Sequence, residues 1–486
     1  MERLKNKTIK GVLWSSIDSF ANQGLLFIFG IILARLLTPK EFGLIGMITV
    51  FITVSESIIN SGFSQALIRK KDCSDADLST VFYFNLAVGL LFLAILYISA
   101  PSISSFFKEP QLTGLVRVLC VVLIFDSLTI VQRATLTRQI DFKLQTRASI
   151  ISTIFSGIVG ITMAYSGFGV WSLVAKTIGK VGLNSLLLWL WNTWRPVLLF
   201  SVKSFKELFG FGSKLLLSGL IDTIYRNIYD LIIGKYYSAQ ELGFYTRANM
   251  FKNLPSNQLT SIISRVAYPA LSQVQDDKLA LKRGYKKIIK STMYISFIVM
   301  AGMAAVAEPM VLTLVGENWL PSVIYLQLLC FVGAMYPLHA INLNMLNVQG
   351  RSDLFLKLEI IKKILAIPTI IIGIIWGIKV MILGMWFNTI VAYYLNSYYS
   401  GRQINYPMRE QIADILPSLL LALIIGAIMA LAGWLFPFSN LAKLILQIFL
   451  GILLVFGISE FFKLKDYLYL KDIVSKSVKS INNVKE

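Results

Sequence analysis

Lys176, Lys180 and Asn184 recur at intervals of four inside a largely apolar run of a 486-residue chain. On a helix that spacing puts all three on one face. Two ammonium groups on successive turns repel unless an anion lies between them, so the stripe fits contact with a phosphate or diphosphate. It fits equally the pairing of each lysine with an acid on a neighbouring helix. Asp222, Arg226 and Asp230 repeat the spacing, with Tyr225 and Tyr229 beside them. That stripe is able to neutralise itself; otherwise Arg226 adds to an anion site and Asp222 is left for a coupling proton or sodium ion. Arg247 and Lys252 follow, with Asn249, Asn253 and Asn257 at intervals of four. Arg247 lies close enough to a span end to snorkel, whereas Lys252 is deeper. Asp18, Glu56, Glu359, Lys362 and Lys363 fall mid-span, where ionisable groups are expensive and mark ion pairs or coupling sites. His339, the only histidine, reads as a packing residue rather than a proton relay. Arg117 and Asp126 are assigned structural roles.

These residues belong to an unusually apolar chain. Apolar types make up 56% and charged types 15%, against about 45–50% and 25% in soluble domains. The net charge is nevertheless +20, from 46 Lys and Arg against 26 Asp and Glu. This excludes a disordered chain, a secreted disulfide scaffold and a collagen-like repeat. Cys73, Cys120 and Cys330 are too few and too scattered for a disulfide framework or a zinc site. An all-α integral membrane protein remains. The basic N-terminus leads into a first transmembrane helix rather than a cleaved signal.

A span needs about 20 mainly apolar residues. Fourteen segments qualify: 11–34, 42–66, 79–100, 112–131, 147–165, 168–191, 208–233, 242–265, 291–312, 320–346, 355–375, 379–399, 414–435 and 440–459. The first, second, seventh and eighth are weak, and their polar faces should meet one another or an aqueous cavity. With the N-terminus inside, about 30 basic residues fall in cytoplasmic loops and tails and about 6 outside, the bias that orients membrane proteins. Both termini are therefore expected in the cytoplasm, and most of the positive charge is a topology signal that does not call for nucleic acid.

A repeat divides the chain. Ala34-Arg35-Leu36-Leu37-Thr38-Pro39-Lys40-Glu41-Phe42-Gly43-Leu44 returns as Gly234-Lys235-Tyr236-Tyr237-Ser238-Ala239-Gln240-Glu241-Leu242-Gly243-Phe244. Two parallel six-helix lobes are expected, residues 1–205 and 206–405, with two further helices over 406–459 and a basic tail over 460–486. Such lobes place a substrate site between them, worked by rocking. The tail, with Lys463, Lys465, Lys471, Lys476 and Lys479, is expected to lie on anionic lipids at the cytoplasmic surface, or else to dock a partner.

The run Ile31 to Gly43 resembles the N-terminal signature of Wzx-type polysaccharide exporters, the lipid-linked oligosaccharide flippases. So do Leu242-Gly243-Phe244-Tyr245-Thr246-Arg247-Ala248, Asn253-Leu254-Pro255, Ser264 to Ser272, Phe168 to Leu173 and Arg138 to Phe142. The resemblance covers the chain through about residue 400 and is nearest the colanic-acid-exporter branch. Its superfamily, the multidrug/oligosaccharidyl-lipid/polysaccharide group, also holds the lipid II flippase and the multidrug and toxin extrusion transporters. It implies a polyprenyl-diphosphate-linked oligosaccharide turned across the bacterial cytoplasmic membrane by alternating access through a cationic cavity. It implies diphosphate contacts from helices one and eight. The first span offers only Asp18 and Asn22, so Arg247 and Lys252 carry over by position, with Lys176 and Lys180 in the missing role. A sodium site in some relatives implies Asp222, Glu359 and Asn388 as loose counterparts. No cofactor is implied beyond a coupling Na+ or H+, and the protein should be a monomer, with polysaccharide polymerase machinery as a conceivable associate.

Two rivals differ in what they require. A multidrug or cation antiporter of the same fold would favour an acidic cavity. A membrane polymerase or glycosyltransferase would gather acid, base or metal groups on a sizeable outer loop, but the longest outer loop, about 101–112, offers only Lys108 and Glu109.

Overall fold

A computed structural model describes residues 2–402 and 404–483. Met1, Gln403, residues 484–486 and the side chains of residues 2–10, 12, 13, 266, 268, 352, 473, 474 and 477–483 lie outside the described residues, and with them Lys479 and the basic N-terminal cluster. Every regular element among the described residues is helical. The chain divides into two units, 1–243 and 244–486.

The first unit holds α1 (Glu2–Leu36), α2 (Pro39–Asn60), α3 (Phe63–Arg69), α4 (Asp75–Phe107), α5 (Leu112–Leu119), α6 (Val122–Arg138), α7 (Phe142–Tyr165), α8 (Val170–Trp191), α9 (Val202–Tyr236) and the first turn of α10 (Ala239–Ser272). The starts of these helices follow local chemistry. Ser74 caps α4 by accepting from Asp77 N–H, and the Asp77 carboxylate accepts from Ser74 N–H at 3.0 Å, a capping box. Asp141 caps α7 by accepting from Leu144 N–H. Ser61 and Gly62 both take positive φ, 46° and 69°, which breaks the second span into α2 and α3.

The repeated motif has a physical explanation in the same unit. Glu41 accepts from Thr38 N–H at 2.6 Å and closes the start of α2. Ser238 accepts from Glu241 N–H at 3.1 Å at the start of α10. Each motif is thus a Ser/Thr-x-x-Glu helix start. The glycines then let the two helix starts cross. A Cβ on Gly43 would lie 1.6 Å from the carbonyl oxygen of Ala239, and one on Gly243 would lie 1.9 Å from that of Pro39.

Contacts sort the loops of this unit into two ends. At one, Lys40 pairs with Glu109 at 3.3 Å and Lys235 donates to the Phe106 carbonyl at 2.5 Å. At the other, Arg138 donates to the carbonyls of Leu67, Lys70 and Lys71, and Lys70 pairs with Asp77 and Glu207. The loop expected over 101–112 is shorter than the sequence suggests, because α4 continues through Pro101 to Phe107.

The second unit continues α10 and adds α11 (Lys278–Ala305), α12 (Ala307–Leu314), α13 (Ser322–Val348), α14 (Ser352–Trp376), α15 (Ile378–Arg402), α16 (Met408–Leu435), α17 (Asn440–Phe461) and α18 (Lys465–Asn483). On α11, Lys282 and Lys286 pair with Glu410 of α16, Lys286 also with Asp414, and Lys290 with Asp466 of α18. The basic tail is therefore a helix packed on its own unit. Its Lys471 pairs with Glu460 and Lys476 with Asp472.

Eleven helical spans among the described residues are long and apolar enough to cross a membrane, two of them built from consecutive helices, α2 with α3 and α5 with α6. Of the four segments read as weak, 11–34 and 42–66 fall among them. Segments 208–233, 242–265 and 355–375 do not: α9, α10 and α14 are long enough at 35, 34 and 25 residues but carry more charge.

Candidate functional site

In the first unit, α1, α6, α7 and α8 enclose a cavity of about 330 Å³ lined by Asp18, Arg133, Gln145, Ser149, Lys180 and Asn184, with Val181 and Leu188 as apolar wall. The polar wall is preorganised. Asn22 donates to Asp18 at 2.7 Å and to Ser149 at 2.8 Å, and Thr153 donates to Asn22 at 2.8 Å. Asp18 lies within electrostatic reach of both Lys180 and Arg133. Lys180 and Asn184 line the space together, as their spacing on α8 requires. Lys176 is not among the lining residues. Its stem packs on α7, where a Cβ on Gly160 would meet Lys176 Cβ at 3.0 Å.

A second carboxyl cluster adjoins this cavity. Glu56 of α2 lies beside Asp126 of α6, and both are within electrostatic reach of Arg133. Two carboxyl groups this close repel when both are ionised. Asp18, Glu56 and Asp126 thus face Lys180 and Arg133. The span expected over 112–131 stops short of Arg133; α6 runs two turns further and carries it to the cavity. Asp126, read as structural, sits at the centre of the cluster. The only advance signal for both was that Asp126 and Arg133 lie seven apart, two turns on one helix face.

On α9, Arg226 Nε lies 2.7 Å from Asp222, the self-neutralising arrangement. Asp230, the third member of the stripe, is part-buried.

In the second unit the two α10 cations differ sharply. Arg247 is buried, its guanidinium 4.8 Å from the centre of the Trp319 ring and 3.4 Å from the Met250 sulfur. It is anchored against aromatic surface. Lys252 packs its stem against α13, where a Cβ on Gly333 would meet it at 2.7 Å. Among the described residues no carboxylate pairs with its ammonium. On α14, Glu359 is paired with Lys362. Asn388 lies on the adjacent α15 with its amide nitrogen buried and unbonded. His339 receives Asn396 at 3.4 Å on Nδ1, and its Nε2 has no partner. Among the described residues no group of three His, Cys, Asp or Glu side chains could hold a metal ion.

Residues 32–324, more than half of the chain, match the model of a family described as polysaccharide biosynthesis protein. The chain belongs to the polysaccharide biosynthesis protein family. It is 28% identical over 360 residues to the teichuronic acid biosynthesis protein TuaB of Bacillus subtilis, covering 73% of this chain and 74% of that one. It is 26% identical to the lipopolysaccharide biosynthesis protein WzxC of Escherichia coli over 376 residues, 76% of each chain. The succinoglycan biosynthesis transport protein ExoT of Rhizobium meliloti is 25% identical over 314 residues, 64% of each. Among solved structures, the lipid II flippase MurJ in an inward closed conformation superposes with a TM-score of 0.76. That match covers 93% of this chain and 98% of that one at 17% identity, and it shows a shared fold. This member of the polysaccharide biosynthesis family is accordingly a multi-pass membrane protein with the helical architecture of a flippase.

Proposed function

We propose that the protein turns a polyprenyl-diphosphate-linked oligosaccharide from the cytoplasmic to the outer leaflet of the bacterial cytoplasmic membrane, by alternating access, for export of a surface polysaccharide. The chain then crosses fourteen times, in two six-helix lobes with two appended helices and both termini in the cytoplasm. It acts as a transporter and not as an enzyme. Family membership supplies the class of cargo. The observation that carries the reading to residues is Lys252, a cation on α10 with no carboxylate partner among the described residues. An unpaired charge there is costly, and a passing diphosphate would offset the cost. Lys180 and Arg133 supply a second cationic pair when Asp18 turns aside or takes a proton. Arg247, held on Trp319, positions α10 around Lys252. Arg226, engaged with Asp222, joins the path only if that pair opens.

The acids of the first-unit cavity favour ion coupling, by H+ at Glu56 and Asp126 or by Na+ at Asp222, Glu359 and Asn388. They would also suit a cation antiporter of the same fold; family membership decides for sugar export.

The test is transfer of a lipid-linked oligosaccharide across sealed vesicles, read by lectin access to the sugar. Wild type should translocate, and Lys252→Met should lower the rate at least about tenfold while its unfolding midpoint stays level or rises, because a buried unpaired charge has been removed. Glycan product formed from a donor in detergent, with no second compartment, would instead establish an enzyme.

A further inference from the structure

The ends of α11, α14 and α15 converge in the second unit on an open cavity of about 490 Å³. Lys278, Arg351 and Arg402 line it, one from each helix end, together with Tyr399, Asn405 and Leu354. Their charges are not cancelled locally. Arg351 holds Asp353 in a bidentate pair at 2.9 and 2.8 Å. Arg402 reaches only the Tyr398 hydroxyl, at 3.4 Å, and Lys278 meets no carboxylate among the described residues. Three cations against one acid leave two positive charges facing one space.

Two of the neighbouring acids are already engaged. Asp277 accepts from Leu279 and Ala280 N–H at 2.9 and 3.0 Å as the cap of α11. Glu410 is held by Lys282 and Lys286 at 2.8 and 3.2 Å. Every fourth lysine further along α11 finds an acid: Lys282, Lys286 and Lys290 all do. Lys278, the first lysine of this row, faces the cavity instead.

We propose that this cavity binds a phosphate ester, separate from the translocation path. Two guanidinium groups and an ammonium match the oxygens of a phosphate, which accept in forks from arginine. The Tyr399 hydroxyl and Asn405 amide add neutral donors, and Leu354 offers apolar wall to the esterified group. The space exceeds a bare phosphate, so the ligand carries a substituent. Two sources share this chemistry: the headgroup of an anionic phospholipid, recognised by basic pockets at helix ends, and a soluble nucleoside diphosphate.

The full-length protein in phosphatidylcholine nanodiscs is titrated with phosphatidylglycerol or, separately, with ADP, following the unfolding midpoint by tryptophan fluorescence. Wild type should be stabilised saturably by at least one of them. Lys278→Gln and Arg402→Gln should each weaken the response about tenfold, the loss of one charge-assisted hydrogen bond, and Arg402→Lys should weaken it less. A response to phosphatidylglycerol alone assigns a lipid headgroup; a response to ADP assigns a soluble ester. Absence of a saturable response to either, or an unchanged response in both glutamine variants, overturns the proposal. Lys278→Gln alters one exposed side chain and leaves a folded protein to measure if the Arg402 variants do not fold.

Discussion

Glu56 and Asp126 meet across α2 and α6, and a proton shared between them would separate packing from transport. Glu56→Gln offers an amide N–H that the Asp126 carboxylate can accept. Stability should stay within about 1 kcal/mol of wild type, whereas Glu56→Leu should cost about 1–3 kcal/mol by stranding a buried acceptor. Thermal unfolding in detergent reads both. The amide hydrogen cannot be released, so translocation by Glu56→Gln should also lose its response to a pH gradient; a retained response would place the coupling proton elsewhere. Glu56 itself was visible in the sequence as an expensive mid-span acid. Its partnership with Asp126 was not, because residues 70 positions apart become neighbours only through packing of α2 against α6. Spacing did reveal the Asp222–Arg226 pair, since intrahelix geometry needs no tertiary knowledge.

The capping boxes and glycines of the repeated motif act at the level of helices. The Cβ of Gly43→Ala would need the space of the Ala239 carbonyl, 1.6 Å away, so backbone must move and not merely a side chain. The loss should reach about 3 kcal/mol or more, seen as a collapse of monodisperse protein in size-exclusion chromatography. Gly243→Ala should behave alike. Gly24→Ala is the contrast: nothing lies within 4 Å of its Cβ, and a helix-interior alanine should stabilise by up to about 1 kcal/mol. The repeat was plain in the sequence, but its meaning was not. Thr38 and Glu41 could be read as a helix start from local chemistry alone, whereas the role of Gly43 depends on which backbone crosses it.

For the whole molecule the number of crossings fixes the side on which each terminus lies. Segment lengths and loop charges pointed to fourteen crossings because hydrophobic thickness and positive-inside bias are both written along the chain. Composition alone supports eleven, since charge in α9, α10 and α14 masks their length. An odd count would put the termini on opposite sides. Contacts within each unit favour the larger number. α9 begins near Glu207, which pairs with Lys70, and ends at Lys235, which meets Phe106 at the opposite end, so it runs the full height of the first unit. Arg351 and Arg402 line one cavity, so α14 and α15 leave and return to the same end of the second unit. Both helices must then cross, or neither. In a variant with Cys73, Cys120 and Cys330 replaced by serine, single cysteines at Lys108, Lys379 and Lys476 distinguish the counts. Fourteen crossings expose Lys108→Cys and Lys379→Cys to a membrane-impermeant maleimide in intact cells and hide Lys476→Cys until the cells are opened. Eleven crossings keep only the first of these and reverse the other two: Lys379→Cys becomes protected, and Lys476→Cys is labelled from outside.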